Sequence, residues 1–306
     1  MNVLVVGYGS IGSRHARILT ELGCRTGVVS VRQVDFPIVY SQLAEAVATE
    51  QPEYIVIANS TNKHHQTLSA LARIDYPGIV LVEKPVFTHC MIVPPNAFRK
   101  VFVAYNLRFH PVIQRLKTLL EGEKILSVQA YVGQYLPDWR PMSDYRASYS
   151  ASAEQGGGAL RDLSHELDYL TWMLGPWERV SALGGQLSPL EITSDDVFAV
   201  LLVTASCPIV TLQMNYLDRS TRRSTVINTS EHTFEADLIR GTVMIDRDSE
   251  MLTAERDYTY RAMHESILSG RTDTACSLGE GLETLRMIEA IERAANGGVW
   301  VERQSV

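Results

Sequence analysis

Cysteine is scarce in this 306-residue chain: Cys24, Cys90, Cys207 and Cys276 lie far apart, and no two stand at the spacing of a redox pair or a metal knuckle. That excludes a disulfide framework and a cysteine-held metal centre; no metal site is expected, and four free thiols point to a reducing compartment. Long apolar runs are missing as well, so no segment reads as a membrane span. No stretch gathers five or six like charges, and 28 basic against 35 acidic residues leave a net charge of −7. A basic arm for nucleic acid and a polybasic patch for a membrane surface are thereby excluded. The first residues enter a strand-like segment directly, with no charged leader and no signal-type cleavage site, so the expected location is the cytoplasm. Internal repeats and low-complexity segments are absent too. What remains is ordinary for a globular protein, 45% hydrophobic and 21% charged, and long enough for two cores.

The most informative segment is Val3-Leu4-Val5-Val6-Gly7-Tyr8-Gly9-Ser10-Ile11-Gly12. A continuous apolar run followed by helix-forming residues 13–21, with Ile18 and Leu19 placed to face a sheet, puts the glycines at a strand-to-helix turn. Gly7 makes the tight turn, Gly9 lets backbone approach a pyrophosphate, and Gly12 lets helix and strand pack closely. Ser10 and Ile11 open the helix whose N-terminus stabilises the phosphate charge. Strands are expected at 25–31, 54–58, 78–82 and 101–105, with helices at 42–50 and 64–74. Strands alternating with helices at this spacing predict a doubly wound parallel sheet, a Rossmann domain over 1–115.

At the end of the second strand, where an acidic residue about 20 positions after the last glycine would bond the ribose of NAD, the chain reads Ser30-Val31-Arg32-Gln33. Ser30 and Arg32 suit a 2′-phosphate, so NADP is expected over NAD, with Asp35 the residue that reverses the choice if the strand runs longer.

Beyond residue 115 the pattern changes. A helix is expected over 111–120, a strand over 125–135, a polar loop rich in aromatics and arginine over 137–155, and a helix after Gly156-Gly157-Gly158 running to Leu174, where Gly175-Pro176 stops it. Residues 180–245 are rich in Val, Ile, Leu and Thr in short runs and predict a mostly antiparallel sheet; helix returns over 278–295, and 299–302 reads as a last strand. The expected second domain, 116–306, is α+β, for substrate binding and oligomerisation. Arginines interleaved with aromatics, Arg140, Tyr145, Arg146 and Tyr149, suit a ligand with a sugar face and an anionic group, or else a covering loop in an oligomer.

Four motifs in order carry a resemblance: the glycine turn with His15; Ala58-Asn59-Ser60-Thr61-Asn62 with His64; Glu83-Lys84-Pro85; and the triple glycine followed by Asp162, His165 and Asp168. Together they resemble the glucose-fructose oxidoreductase, inositol dehydrogenase and MocA family of nicotinamide-dependent sugar oxidoreductases, over nearly the whole chain. The resemblance implies that Lys84 lies beside the substrate oxygen, and that Asn59, Ser60, Thr61, Asn62, His64, Glu83 and Lys84 join Gly7, Gly9, Ser10, Ile11, Gly12, Ser30 and Arg32 around the cofactor.

A lysine at a strand end would hold the oxygen and stabilise alkoxide character. His165, with an ordinary pKa near neutrality, is assigned as general base and Asp162 as its orienting carboxylate. Residues three apart share a helix face, which would let Asp162, His165 and Asp168 line one cleft. The family aspartate usually stands four before the histidine, where this chain has Arg161.

Tyr105, Asn106, Arg108 and Pro111 match the family's crossing between domains, and Arg108 joins Lys84, Arg140, Tyr145, Arg146, Tyr149, Asp162 and His165 as a substrate-contacting candidate. The implied function is hydride transfer between NADP(H), or NAD(H), and a hydroxyl or keto carbon of a nucleotide-activated or acidic sugar, or a cyclitol. The alternatives are an NAD-dependent glycosidase using transient oxidation and a non-catalytic dinucleotide sensor, the latter disfavoured by retention of Lys84 and His165. A homodimer or homotetramer through an exposed sheet face is expected.

Overall fold

In a computed structural model, which describes residues 1–139 and 142–304, the chain is α/β and divides into two compact units. The first comprises Met1–Asn106 with Asp257–Leu282, the second Leu107–Arg256 with Glu283–Val306. The segment 257–282, which the sequence reading assigned to a continuous second domain, thus clusters with the first 106 residues.

The first unit is built on six parallel strands, β1 (Asn2–Val6), β2 (Arg25–Val29), β3 (Val39–Tyr40), β4 (Tyr54–Ile57), β5 (Ile79–Val82) and β6 (Lys100–Val103), in the order β3-β2-β1-β4-β5-β6. The inner strands are continuously apolar because both faces are covered; every residue of β4 and β5 is buried. The helices α1 (Ser10–Glu21), α2 (Leu43–Glu50) and α3 (Thr61–Arg73) make the crossovers. Strand order reverses between β1 and β4, the point at which ligands bind at the carboxyl edge of such sheets. β2 ends at Val29, so Asp35 lies well beyond the strand in an irregular, exposed stretch.

The second unit begins with α4 (Pro111–Leu119) and is organised by β7 (Ile125–Gly133). Two short helices, α5 (Ala159–Asp162) and α6 (His165–Leu174), precede β8 (Trp177–Gly185), β9 (Val197–Thr204), β10 (Cys207–Asn215), β11 (Arg222–Thr229), β12 (Thr233–Asp237), β13 (Thr242–Ile245) and β14 (Asp248–Met251). Next along the chain, in the 257–282 segment of the first unit, comes a helix that the sequence reading did not anticipate, α7 (Tyr258–Ser269); α8 (Leu278–Gly297) and β15 (Val301–Glu302) follow. The nine strands run in the order β14-β13-β12-β11-β7-β10-β9-β8-β15 and pair antiparallel except for β7 with β10, which are parallel. Strand alternation buries Val200, Leu202, Val210 and Leu212 on one face and leaves Leu183, Leu201 and Ile209 exposed. No described helix is long and apolar enough to cross a membrane.

Candidate active site

At the carboxyl edge of the first sheet, the loops after β1, β2, β4 and β5 and the first turns of α1 and α3 carry every described residue singled out for the cofactor. Gly7 has φ +97°, and a Cβ there would come within 2.6 Å of the Asn59 backbone. A Cβ on Gly12 would meet the Gly7 carbonyl oxygen at 2.0 Å, so only glycine lets α1 close on β1. Gly9 is different: nothing lies within 4 Å of the position its Cβ would take. It caps α1 without a side-chain hydrogen bond, and no acidic residue stands in the first turn, so the N–H groups at Ser10 and Ile11 face an open approach. Asn59 donates from Nδ2 to Thr67 Oγ1 at 2.8 Å, while its Oδ1 is buried with no partner among the described residues. An uncapped helix start, an open glycine and a buried acceptor lacking a donor fit a dinucleotide. Gly12→Ala is accordingly expected to weaken NADH and NADPH binding about tenfold or more in a fluorescence titration, because the 2.0 Å overlap is with backbone and can be relieved only by shifting the loop.

Arg32 reaches back over this loop, its Nη2 donating to the Tyr8 carbonyl at 3.2 Å, and Ser30 Oγ accepts the Arg32 N–H at 3.1 Å. Ser60 caps α3, which Thr61 and Asn62 open. His64 is buried and stands between loops: Nε2 lies 3.0 Å from the Asn59 carbonyl, and Nδ1 3.2 Å from those of Pro85 and Val86. Burial pushes its pKa down, against the pull of those carbonyls. His64 therefore ties the loop after β4 to the loop after β5.

Glu83 and half-buried Lys84 follow β5, and the Lys84–Pro85 peptide is cis. Glu83 ends a buried chain of hydrogen bonds. As a carboxylate, its Oε1 accepts from His15 Nε2 at 2.8 Å, and its Oε2 accepts from the Lys84 backbone N–H at 3.1 Å. With that proton on Nε2, His15 Nδ1 accepts from His264 Nε2 at 2.8 Å, and His264 Nδ1 accepts from the Tyr54 hydroxyl at 3.0 Å. His264 has its pKa driven well down by burial, then by His15. The sequence reading missed His264 because its partners lie 249 and 210 residues away; the available signal was the buried face Thr259, Met263 and Ile267 of α7, in which a histidine sits.

In the second unit the expected single helix through Asp162, His165 and Asp168 is broken. α5 ends at Asp162; Leu163 (ψ 17°) and Ser164 (ψ −3°) make a turn, with the Ser164 N–H reaching Arg161 at 3.4 Å; α6 begins at His165. The argument from a shared helical face therefore fails. Asp162 is buried and its two oxygens accept from two tyrosines, Tyr149 to Oδ1 and Tyr216 to Oδ2, each at 2.6 Å. Burial first, then the Asp162 charge, pushes the Tyr216 hydroxyl well above its ordinary pKa. Tyr149 reaches this position because Gly157 has no Cβ, which would stand 2.1 Å from the Tyr149 carbonyl oxygen. Asp195 Oδ1 accepts the Leu160 N–H at 2.8 Å, holding the start of α5, and burial raises its pKa to about 6. His165 is partly exposed, and its Nδ1 is buried.

Asp168 turns elsewhere. Its carboxylate takes both arms of Arg108, Nε at 2.9 Å and Nη2 at 2.7 Å, in a pair about 2% exposed on each side, and Arg108 also lies 5.4 Å from the Trp172 ring. Glu166, the neighbouring carboxylate, pairs with Arg223 at 2.8 Å. Arg108 is thus closed off as a ligand fork. Arg146 is committed as well: Nε and Nη2 bind Asp144 at 2.9 Å, and Nη1 binds Glu191 at 3.0 Å. It lines a cavity of about 430 Å³ with Ser148, Ser152, Gln155 and Thr193. The Tyr145 hydroxyl accepts the Glu191 N–H at 3.3 Å. Arg140 lies outside the described residues.

The comparisons with known proteins decide the family. Residues 1–93 match the oxidoreductase family with an NAD-binding Rossmann fold, and residues 113–235 match the GFO/IDH/MocA C-terminal domain. This chain belongs to the GFO/IDH/MocA oxidoreductase family. In fold it is similar to GenD2 from gentamicin A biosynthesis, solved with NAD, at 22% identity and a TM-score of 0.79 over 100% of this chain and 97% of that one. It is likewise similar to the WlbA dehydrogenase from Bordetella pertussis, solved with NADH and UDP-GlcNAcA, at 20% identity and 0.81 over 100% and 99%. A levoglucosan dehydrogenase solved with NADH and L-sorbose gives 15% identity and 0.84 over 99% and 98%. A search of the curated proteins found no match. The glycine turn of this GFO/IDH/MocA chain is the one left open at Gly9.

Proposed function

We propose that this chain is an NADP-preferring dehydrogenase or reductase of a sugar, acting on a hydroxyl or keto carbon of an acidic or nucleotide-activated sugar or a cyclitol. The observation that carries the reading is the buried Asp162 carboxylate, gripped by two tyrosine hydroxyls, three residues before a partly exposed histidine. When bound, the nicotinamide supplies or accepts the hydride. The chain's own residues do the rest. Lys84 holds the substrate oxygen with its ammonium and stabilises negative charge developing there. His165 accepts the hydroxyl proton in oxidation and returns it in reduction. Asp162, fixed by Tyr149 and Tyr216, is the carboxylate that orients the site. The glycine turn, Ser60, Thr61, Asn62 and the Glu83 loop bind and orient the dinucleotide.

Carbohydrate as substrate class is supported by the ligands of the similar structures, UDP-GlcNAcA and L-sorbose. The preference for NADP is supported by Ser30 and Arg32 standing where β2 ends, with Asp35 five residues past its last hydrogen-bonded position at Ser30. The exposed apolar side chains Leu183, Leu201 and Ile209 support self-association through the outer face of the second sheet. Fluorescence titration of nucleotide-free protein with NADPH and NADH in parallel tests the cofactor assignment. NADPH is expected to bind about tenfold tighter, and Arg32→Ala to erase most of that difference. A preference for NADH removes the assignment.

A further inference from the structure

An acidic sugar needs a cation not already neutralised by the protein, and Arg108 and Arg146 do not provide one. Arg108 is buried in the fork of Asp168, Arg146 is shared between Asp144 and Glu191, Arg161 pairs with Glu292, and Arg223 pairs with Glu166. Arg222 stacks on Tyr131 but binds Asp218 at 2.9 Å. Arg219, in the loop between β10 and β11, differs from all of these. Its guanidinium carbon lies 3.4 Å from the centroid of the Tyr135 ring, it is exposed, and among the described residues it has neither a hydrogen bond nor an ion pair.

The backbone places this stacked pair beside the candidate site. The Gln134 N–H donates to the Asn215 carbonyl at 3.1 Å and the Leu136 N–H to the Tyr216 carbonyl at 3.0 Å, which locks the Tyr135 segment to the strand end that carries Tyr216. Tyr216 in turn bonds Asp162, and Trp139 packs edge-on against the Tyr216 ring at 5.2 Å. Arg219 stands three residues past Tyr216. Stacking on an aromatic face holds a guanidinium flat with its N–H edge outward, so little rotamer freedom is lost when that edge binds a carboxylate or phosphate in a fork.

We propose that Arg219, seated on Tyr135, binds the anionic group of the sugar, an assignment that rests on the dehydrogenase reading above. It replaces Arg108 and Arg146 as the charge-recognising residue and makes substrate preference a property of the loop between β10 and β11.

The test is calorimetric titration of the full chain, first with NADPH or NADH and then, at saturating dinucleotide, with glucuronate, glucose 6-phosphate and glucose. At least one of the two anions is expected to bind tighter than glucose. Arg219→Gln is expected to abolish that advantage, about a tenfold loss or more, with glucose and dinucleotide affinities unchanged. A response to glucuronate alone identifies a carboxylate as the recognised group; a response to glucose 6-phosphate alone identifies a phosphate. An anion preference that survives in Arg219→Gln, or no anion preference in the native protein, overturns the assignment. Failure of the first step, dinucleotide binding, instead strikes the dehydrogenase reading, so the two failures are separable.

Discussion

Arg108→Ala is expected to destabilise the second unit by about 3–5 kcal/mol, because it strands the Asp168 carboxylate, about 2% exposed, without its partner. For a unit of this size that corresponds to a fall in melting temperature of roughly 6–20 °C. Most of the loss comes from the uncompensated buried charge rather than from two missing hydrogen bonds, so replacing both partners by apolar residues, Arg108→Met with Asp168→Leu, is expected to recover much of it. The exposed arrangement around Arg146 gives the contrast. There both carboxylates and the guanidinium are about half exposed or more, and Arg146→Ala is expected to leave the melting temperature nearly unchanged. Thermal melts of the three variants settle the matter: an Arg108→Ala protein that melts within a degree or two of native would mean that the pair does not hold the unit together.

Lys84→Ala is expected to lower kcat/KM by about 10²–10³ with any sugar the native protein turns over, while NADPH binding in the fluorescence titration changes little. The asymmetry follows from position. In the proposed mechanism the dinucleotide is gripped by backbone at the glycine turn and by the starts of α1 and α3, whereas the lysine after β5 acts on charge that develops only during reaction. Lys84→Arg is not expected to restore the rate, since a guanidinium delivers its charge through a wider planar fork than an ammonium does. Native turnover in Lys84→Ala would end the proposed mechanism, and loss of binding without a separate loss of rate would reassign Lys84 to the cofactor.

Local pattern made the first unit legible. Buried parallel strands are continuous apolar runs, and the glycine turn announces itself by spacing, so β1, β4 and β5 were placed within a residue or two, together with the loops that end in Gly7, Asn59 and Glu83. The second sheet was legible as a class, because alternating short runs speak of strands, but alternation says nothing about which neighbour a strand takes. The parallel pairing of β7 with β10 was therefore invisible.

The same limit governs the site. Asp162 and His165 were found by motif, yet composition alone could not reveal the turn at Leu163 and Ser164, since both residues are tolerated in helices. Arg108 entered through the family's crossing pattern and Arg146 through its place among aromatics in a loop. A sequence does not show their charge already spent on Asp168, Asp144 and Glu191, and Arg219 attracted no notice because its distinction is the company it lacks.

The hydrogen-bonded chain from Tyr54 through His264 and His15 to Glu83 bears on the order in which the protein is made. When the ribosome has delivered the first six strands, Tyr54 and His15 are in place along the chain, but His264, which pairs with both in the finished interior, is still 249 residues beyond His15. Burying them unmatched is costly, so the dinucleotide unit reaches its final packing only after nearly the whole of the other unit has been synthesised. A nascent chain arrested before residue 264 is expected to bind dinucleotide poorly even though every glycine of the phosphate turn has long since emerged.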